Sequence, residues 1–279
     1  MDVLQVVYGA ADAGERLASS LKDTGFAVVS GHPISPHLVG ETYAEWERFF
    51  ADPAKHDYTF DPASQDGYFP FRSENAKGRT QKDLKEFFHV YPRTRLPEGV
   101  SDRTRRLYAA LSDLAAELLG LIEAHTPDEV RSRISMPLPT MIAGSPHTLL
   151  RVLHYPPLGG EDEGGAVRAA AHEDINLITL LVAATAPGLQ VSDTRGVWSD
   201  VPADPGTIVV NAGDMLEMAT DGHYRSTSHR VVNPPAAESG RSRLSMPLFL
   251  HPTADVCLSE RHTAGSYLEE RLREIGLKA

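Results

Sequence analysis

Cysteine is almost missing from this chain: Cys257 is the single one among 279 residues. An internal disulfide and any multi-cysteine zinc or iron–sulfur site are thereby excluded, as suits a reducing compartment, and packing is the expected role of Cys257. Long apolar runs are lacking too. None approaches the roughly 18–20 residues of a spanning helix, and Met1-Asp2-Val3-Leu4-Gln5 has neither the basic start nor the apolar stretch of a signal peptide. No membrane partner and a cytoplasmic location are therefore expected. Positive charge is in deficit, with 27 Lys and Arg against 38 Asp and Glu and a net charge of −11. A phosphate backbone would be repelled, so nucleic acid is not an expected partner, whereas a cationic small molecule suits the acidic balance. Nothing in the chain specifies an oligomeric state.

What remains, 41% hydrophobic and 23% charged, is the composition of a globular protein long enough for a sizeable core. Residues 11–22 and 36–50 read as amphipathic helices on either side of a short strand at 25–30. Residues 51–95 are richer in Gly, Pro, Asp and aromatics and read as long loops with short strands. Leu107, Leu111, Leu114, Leu118 and Leu121 recur three or four apart, which predicts a helix over 101–125 with one apolar face. Beyond residue 145 the pattern changes to short apolar runs punctuated by Gly, Pro and Asp, as in antiparallel strands. They fall at 149–155, 177–182, 189–192, 207–211, 228–233 and 243–250, before a last helix near 264–275. The class is mainly β with supporting helices. Without a repeat or a low-complexity linker, 1–279 is expected to be one domain: helical support and substrate-side loops over 1–145, a β core over 146–262 and a C-terminal helix over 263–279.

One ordered set carries chemistry: His172-Glu173-Asp174, then His229, then Arg243-Leu244-Ser245. Successive side chains of an extended segment alternate faces, so His172 and Asp174 point together and Glu173 points away. A distant strand start supplies His229. Two imidazoles and one carboxylate leave positions open on the metal, the donor set of non-haem Fe(II), whereas a structural zinc site is closed and usually thiolate-rich. The chain has 12 histidines, so a bare His-x-Asp also reads as a solvated loop or a hydrogen-bonded core histidine. Arg243 and Ser245 share one strand face, where a guanidinium fork and a hydroxyl can hold a buried carboxylate. Alone, the same arginine would pair with a surface acid. Tyr155 ends another predicted strand, and its phenol can donate to that carboxylate.

At these residues the chain resembles the isopenicillin N synthase-like family of Fe(II)- and 2-oxoglutarate-dependent dioxygenases. The similarity continues through Gly188-Leu189-Gln190-Val191, Trp198, Val201-Pro202, Pro205-Gly206, Val209-Val210-Asn211, Gly213-Asp214, Tyr224, Ser226-Thr227 and residues 229–234. Nearer the N-terminus it includes Gly25-Phe26 through His32, Phe49-Phe50 and Asp83-Leu84-Lys85-Glu86-Phe87. The resemblance implies a distorted double-stranded β-helix, a jelly roll, with iron held by His172, Asp174 and His229. It also implies 2-oxoglutarate chelating the iron, with its far carboxylate on Arg243, Ser245 and Tyr155. Leu153 stands where the family's Asn-x-Tyr element has Asn, which removes a polar contact.

The implied reaction consumes O2 and 2-oxoglutarate and releases succinate and CO2. It oxidises an unactivated substrate C–H by hydroxylation, desaturation or oxidative ring closure. By the same analogy residues 67–91 would cover the open side of the iron, with Tyr68, Phe71, Arg72, Glu74 and Lys77 as candidate substrate residues. Few large aromatics near the motifs and the acidic balance point to a small polar metabolite, such as an antibiotic or amino-sugar intermediate. Two other functions fit the same residues: a non-haem iron oxidase like isopenicillin N synthase itself, which does not use 2-oxoglutarate, and a non-catalytic metal- or ligand-binding relative. Succinate release coupled to oxygen uptake separates them.

Overall fold

The structure, a computed structural model, describes residues 3–74, 81–159, 165–202 and 204–274. Strand β1 (Gln5–Val7) precedes helix α1 (Ala13–Thr24), which buries Leu17 and Leu21 and stops at Gly25, whose φ of 73° is in the left-handed region glycine favours. β2 (Phe26–Ser30) leads to α2 (Pro36–Ala51), where Ser35 caps the first turn by accepting from the Leu38 amide and Pro36 takes a position needing no amide hydrogen. A 3-10 turn at Pro53–Tyr58 is followed by β3 (Gly67–Phe69) and β4 (Glu86–Val90). The long helix α3 (Arg103–Ala124) buries Leu107, Leu111, Leu114 and Leu118, and α4 (Asp128–Arg131) and α5 (Leu138–Met141) are short. The remaining strands are β5 (Leu149–Tyr155), β6 (Ala169–His172), β7 (Ile178–Val182), β8 (Leu189–Ser192), β9 (Trp198–Asp200) and β10 (Thr207–Ala212). After them come α6 (Asp214–Ala219), β11 (His229–Val231), β12 (Arg243–Leu250) and α7 (Ala264–Glu274).

An eight-stranded sheet in the order β1-β2-β10-β7-β12-β5-β4-β3 and a four-stranded sheet in the order β6-β11-β8-β9 make the expected jelly roll. The first 145 residues supply more than helical support: β1 and β2 extend one edge of the large sheet, β4 and β3 the other. Those edges would otherwise present unpaired backbone groups. β6 and β9 carried no clear strand signal. β6 is Ala169-Ala170-Ala171-His172, and alanine has little strand preference, so pairing with β11 makes it a strand.

Side-chain alternation sorts the large sheet's two faces. Leu244, Met246, Leu248 and Leu250 of β12 join Leu150, Val152, Leu180 and the α3 leucines in the helix-covered core. Trp46 is fully buried there, against Phe49, Phe50 and Phe88, and its indole donates to Thr104 Oγ1 at 3.0 Å. On the other face Phe69, Phe87, Leu153 and Tyr155 meet Ala169 of β6 and Val231 of β11, so this smaller apolar cluster joins the two sheets. Cys257 does not pack as expected. It is exposed, because its neighbours Val256 and Leu258 take the inward positions of the same extended segment. Among the described residues no helix is long and apolar enough to cross a membrane.

Candidate metal centre

β6 ends at His172 and β11 begins at His229, and the two are direct cross-strand partners with ring centroids 4.4 Å apart. Asp174 lies just past the end of β6 and is buried, while Glu173 between them is exposed. Each imidazole is oriented from behind: His172 Nδ1 lies 2.8 Å from Ala170 O, and His229 Nδ1 lies 3.1 Å from Thr227 O. A carbonyl partner keeps the proton on Nδ1 and leaves the Nε2 lone pair for a metal. Both Nε2 atoms face Asp174 Oδ1, at 4.0 Å from His172 and 3.6 Å from His229. One ligand atom from each residue lies within 4.8 Å of the others.

The large sheet holds the carboxylate. Thr179 of β7 and Asn211 of β10 are cross-strand partners, and both donate to Asp174 Oδ2, at 2.6 and 2.8 Å. Oδ2 is thereby occupied and Oδ1 is turned to the imidazoles. The loop is tied down at Gly213, whose amide donates to Leu177 O, while the Asp214 amide donates to Asp174 O at 2.8 Å. A Cβ at Gly213 would stand 2.1 Å from Asn176 O, so no larger residue fits this approach. Burial opposes ionisation of Asp174, but the two imidazoles and the Thr179 and Asn211 hydrogen bonds hold it below its ordinary range. Burial and the nearby His229 push His172 down to about 4. A neutral imidazole beside an ionised carboxylate is the protonation state a divalent metal requires, so these residues fit an iron ion.

The candidate carboxylate receptor sits on β5 and β12, where Arg243 opposes Tyr155 and Ser245 opposes Leu153. Arg243 is 2% exposed; its Nε donates to Ala186 O at 2.9 Å, its Cζ lies 5.1 Å from the Tyr155 ring centroid, and its Nη1 is buried with no partner. A buried guanidinium N–H without an acceptor is costly, and a carboxylate is the group that would satisfy it. Leu153 packs with Phe87 and Tyr155, so the position expected to lose a polar contact is filled by an apolar one.

The five substrate candidates separate. Tyr68 turns to the helix side, bonding Glu86 through its hydroxyl and packing on Phe49, Phe50 and His56. Phe71 is 40% exposed with the Arg72 guanidinium 5.3 Å over its ring, and Lys77 lies outside the described residues. Glu74 joins a charged network: Lys85 Nζ lies 2.7 Å from it and 2.9 Å from Asp83, and Arg151 Nη1 lies 3.3 Å from it. Arg151 Nε donates to His89 Nε2 at 2.9 Å. Burial opposes ionisation of Glu74, yet Arg151 and Lys85 hold it well below the carboxylate range. The Ala170 amide, two residues before His172 on β6, donates to Asp83 Oδ1 at 3.1 Å, which sets this network beside the metal centre. Lys85, His89 and Arg151 were not among the candidate site residues read from the sequence. Alternation could have found two of them, since His89 shares the parity of Phe87 on β4 and Arg151 that of Leu153 and Tyr155 on β5.

Two family patterns match: the 2OG-Fe(II) oxygenase superfamily over residues 146–252, and the N-terminal region of non-haem dioxygenases in morphine synthesis over residues 8–109. A 2-oxoglutarate-Fe(II) type oxidoreductase of Aspergillus fumigatus is 31% identical, across 90% of this chain and 80% of its own length. A crystal structure from Shewanella oneidensis, provisionally assigned as an oxygenase, superposes with a TM-score of 0.90 at 51% identity over 99% of both chains. A full-length Neurospora crassa protein, crystallised with alpha-KG, has a TM-score of 0.79 at 22% identity over 96% of this chain and 95% of its own, a likeness of fold.

Proposed function

This chain belongs to the 2-oxoglutarate–Fe(II) oxygenase superfamily and is an Fe(II)- and 2-oxoglutarate-dependent dioxygenase, and from that premise we propose that it oxidises an unactivated C–H of a small, polar specialised metabolite. Hydroxylation, desaturation and oxidative ring closure all begin at such a bond, and an antibiotic or amino-sugar intermediate is a fitting substrate. The observation that carries the reading is the Asp83–Lys85–Glu74–Arg151 network, joined to β6 two residues from His172 where the Ala170 amide donates to Asp83 Oδ1 at 3.1 Å, because it places charged groups beside the metal centre where an apolar substrate would need a greasy wall.

Bound iron, 2-oxoglutarate and O2 supply the oxidant and leave succinate and CO2 as co-products. The protein's part is positional. His172 Nε2, His229 Nε2 and Asp174 Oδ1 would hold the metal, with Thr179 and Asn211 fixing the carboxylate rotamer. Arg243, Ser245 and Tyr155 receive the far carboxylate of 2-oxoglutarate, and the partnerless Arg243 Nη1 favours this over an oxidase that dispenses with it. Phe69, Phe87 and Leu153 exclude water between the sheets.

The test is succinate formation and oxygen uptake by the iron-loaded protein, given 2-oxoglutarate and a panel of polar metabolites. One metabolite is expected to raise succinate formation in step with its own oxidation, and His172→Ala and Asp174→Ala are expected to reduce turnover to background. Wild-type succinate formation by either variant would overturn the ligand assignment, and metabolite oxidation without succinate would overturn the 2-oxoglutarate dependence.

A further inference from the structure

We infer that Arg168 is a second guanidinium for the far carboxylate of 2-oxoglutarate, acting with Arg243 as a two-arginine receptor that selects a 2-oxo acid with a carboxylate at both ends. The inference rests on the co-substrate reading above and adds a residue to it.

Arg168 immediately precedes β6 and is 1% exposed; with Arg243 and Tyr155 it is among the largest fully buried side chains of the described residues. Its Cζ lies 5.8 Å from the Tyr155 ring centroid, so both guanidiniums gather on one phenol ring. Its Nη2 donates to Arg241 O at 3.0 Å, while its Nε is buried with no partner, as is Nη1 of Arg243. Neither arginine forms an ion pair with a carboxylate among the described residues. The other cations near the metal differ in this respect, because Lys85 and Arg151 are already matched by Glu74 and Asp83.

Two buried like charges with no counter-ion are an unfavourable arrangement, and removing charge from water is repaid only by a close, well-bonded partner. Burial and the neighbouring Arg243 indeed hold Arg168 below the ordinary arginine range. A carboxylate has two oxygens with about four acceptor sites, enough to satisfy both orphaned N–H groups and turn the mutual repulsion into attraction. A 2-oxo acid ending in a methyl group would leave both cations unpaired. The backbone at Arg168 is held separately: its amide donates to Asn233 Oδ1 at 3.0 Å, and Asn233 Nδ2 donates to Ala166 O at 2.9 Å. The backbone of the segment therefore has a hold of its own, besides the bond that the guanidinium makes to Arg241 O.

The test is calorimetric binding, without oxygen, of 2-oxoglutarate and of 2-oxopentanoate, which lacks the far carboxylate, to the full chain loaded with Mn(II). The wild type is expected to bind 2-oxoglutarate the more tightly. Arg168→Met is expected to weaken 2-oxoglutarate by about 10- to 100-fold, the worth of a charge-assisted hydrogen bond, and to leave 2-oxopentanoate unchanged. Should the Met variant lose its cooperative thermal transition, Arg168→Lys carries the same comparison, with a smaller loss confined to 2-oxoglutarate. An unchanged 2-oxoglutarate affinity, or an equal loss for both ligands, would overturn the assignment and leave Arg168 a structural residue. A wild type that does not distinguish the two acids would instead overturn the co-substrate reading itself.

Discussion

Asp174 works as a ligand because its two oxygens have separate partners, Oδ2 held by Thr179 and Asn211 and Oδ1 facing the imidazoles. Asn211→Leu removes one of those donors at nearly constant volume, and such supporting bonds typically contribute 10- to 100-fold in metal affinity, to order of magnitude. Metal titration of the variant should show a loss of about that size with an unaltered near-UV spectrum; unchanged affinity would mean the carboxylate is held by packing alone. His172 sets a pH dependence. Its folded value of about 4 lies below the ordinary 6.5, so the unfolded chain binds more protons between those values. Stability of the metal-free protein is then fully present above about 6.5 and is lost as pH falls toward about 4, and metal affinity falls in the same direction because protons compete for Nε2. Burial depresses His251 to about 4 as well, adding a contribution of the same sign. Denaturant midpoints measured across this range should decrease as the pH is lowered, less steeply in His172→Gln.

The element that most constrains the site is the turn from β10 into α6. Gly213 has an ordinary extended φ of −111°, so space rather than backbone conformation demands glycine: a Cβ would meet Asn176 O at 2.1 Å and Asp174 O at 2.9 Å. Gly213→Ala must push the Asp174 loop off β10 and is expected to cost about 1–3 kcal/mol and to weaken metal binding as well. Gly120, inside α3, is the contrast. Its added methyl would meet only Pro139 Cγ, at an ordinary 3.8 Å, so Gly120→Ala should stabilise by about 0.4–1 kcal/mol. Chemical denaturation of the two variants checks both signs. The periodic elements were legible beforehand: the leucine spacing of α3 and the alternation of β5, β8 and β12 match the observed ranges within a residue or two. β6 was not, because three alanines carry neither period nor preference.

Over the whole molecule, helices cover one face of the large sheet while the chemistry lies on the other, so stability and function draw on opposite sides of the same strands. Trp46→Ala tests that separation. Removing a fully buried indole from the helix side is expected to cost about 3–5 kcal/mol in denaturant unfolding, with metal affinity of the folded fraction unchanged. A loss of metal affinity at constant folding would show the two faces to be coupled. Net charge is also a whole-molecule quantity, and the buried charges around the site are a local subset of it, with Asp83 and Asp174 among them. The chain's −11 is a sum dominated by exposed residues, whereas Lys85, Arg168 and Arg243 are buried cations.

The candidate ligand set, the candidate carboxylate receptor and the mainly β class could all be read from residue order alone, because residue identity and alternation along a strand are local properties. What surrounds them emerges on folding. The Thr179–Asn211 grip on Asp174, the Glu74–Lys85–Arg151 network and the meeting of Arg168 with Arg243 all join segments far apart in the chain, and no local period encodes which distant strand becomes a neighbour.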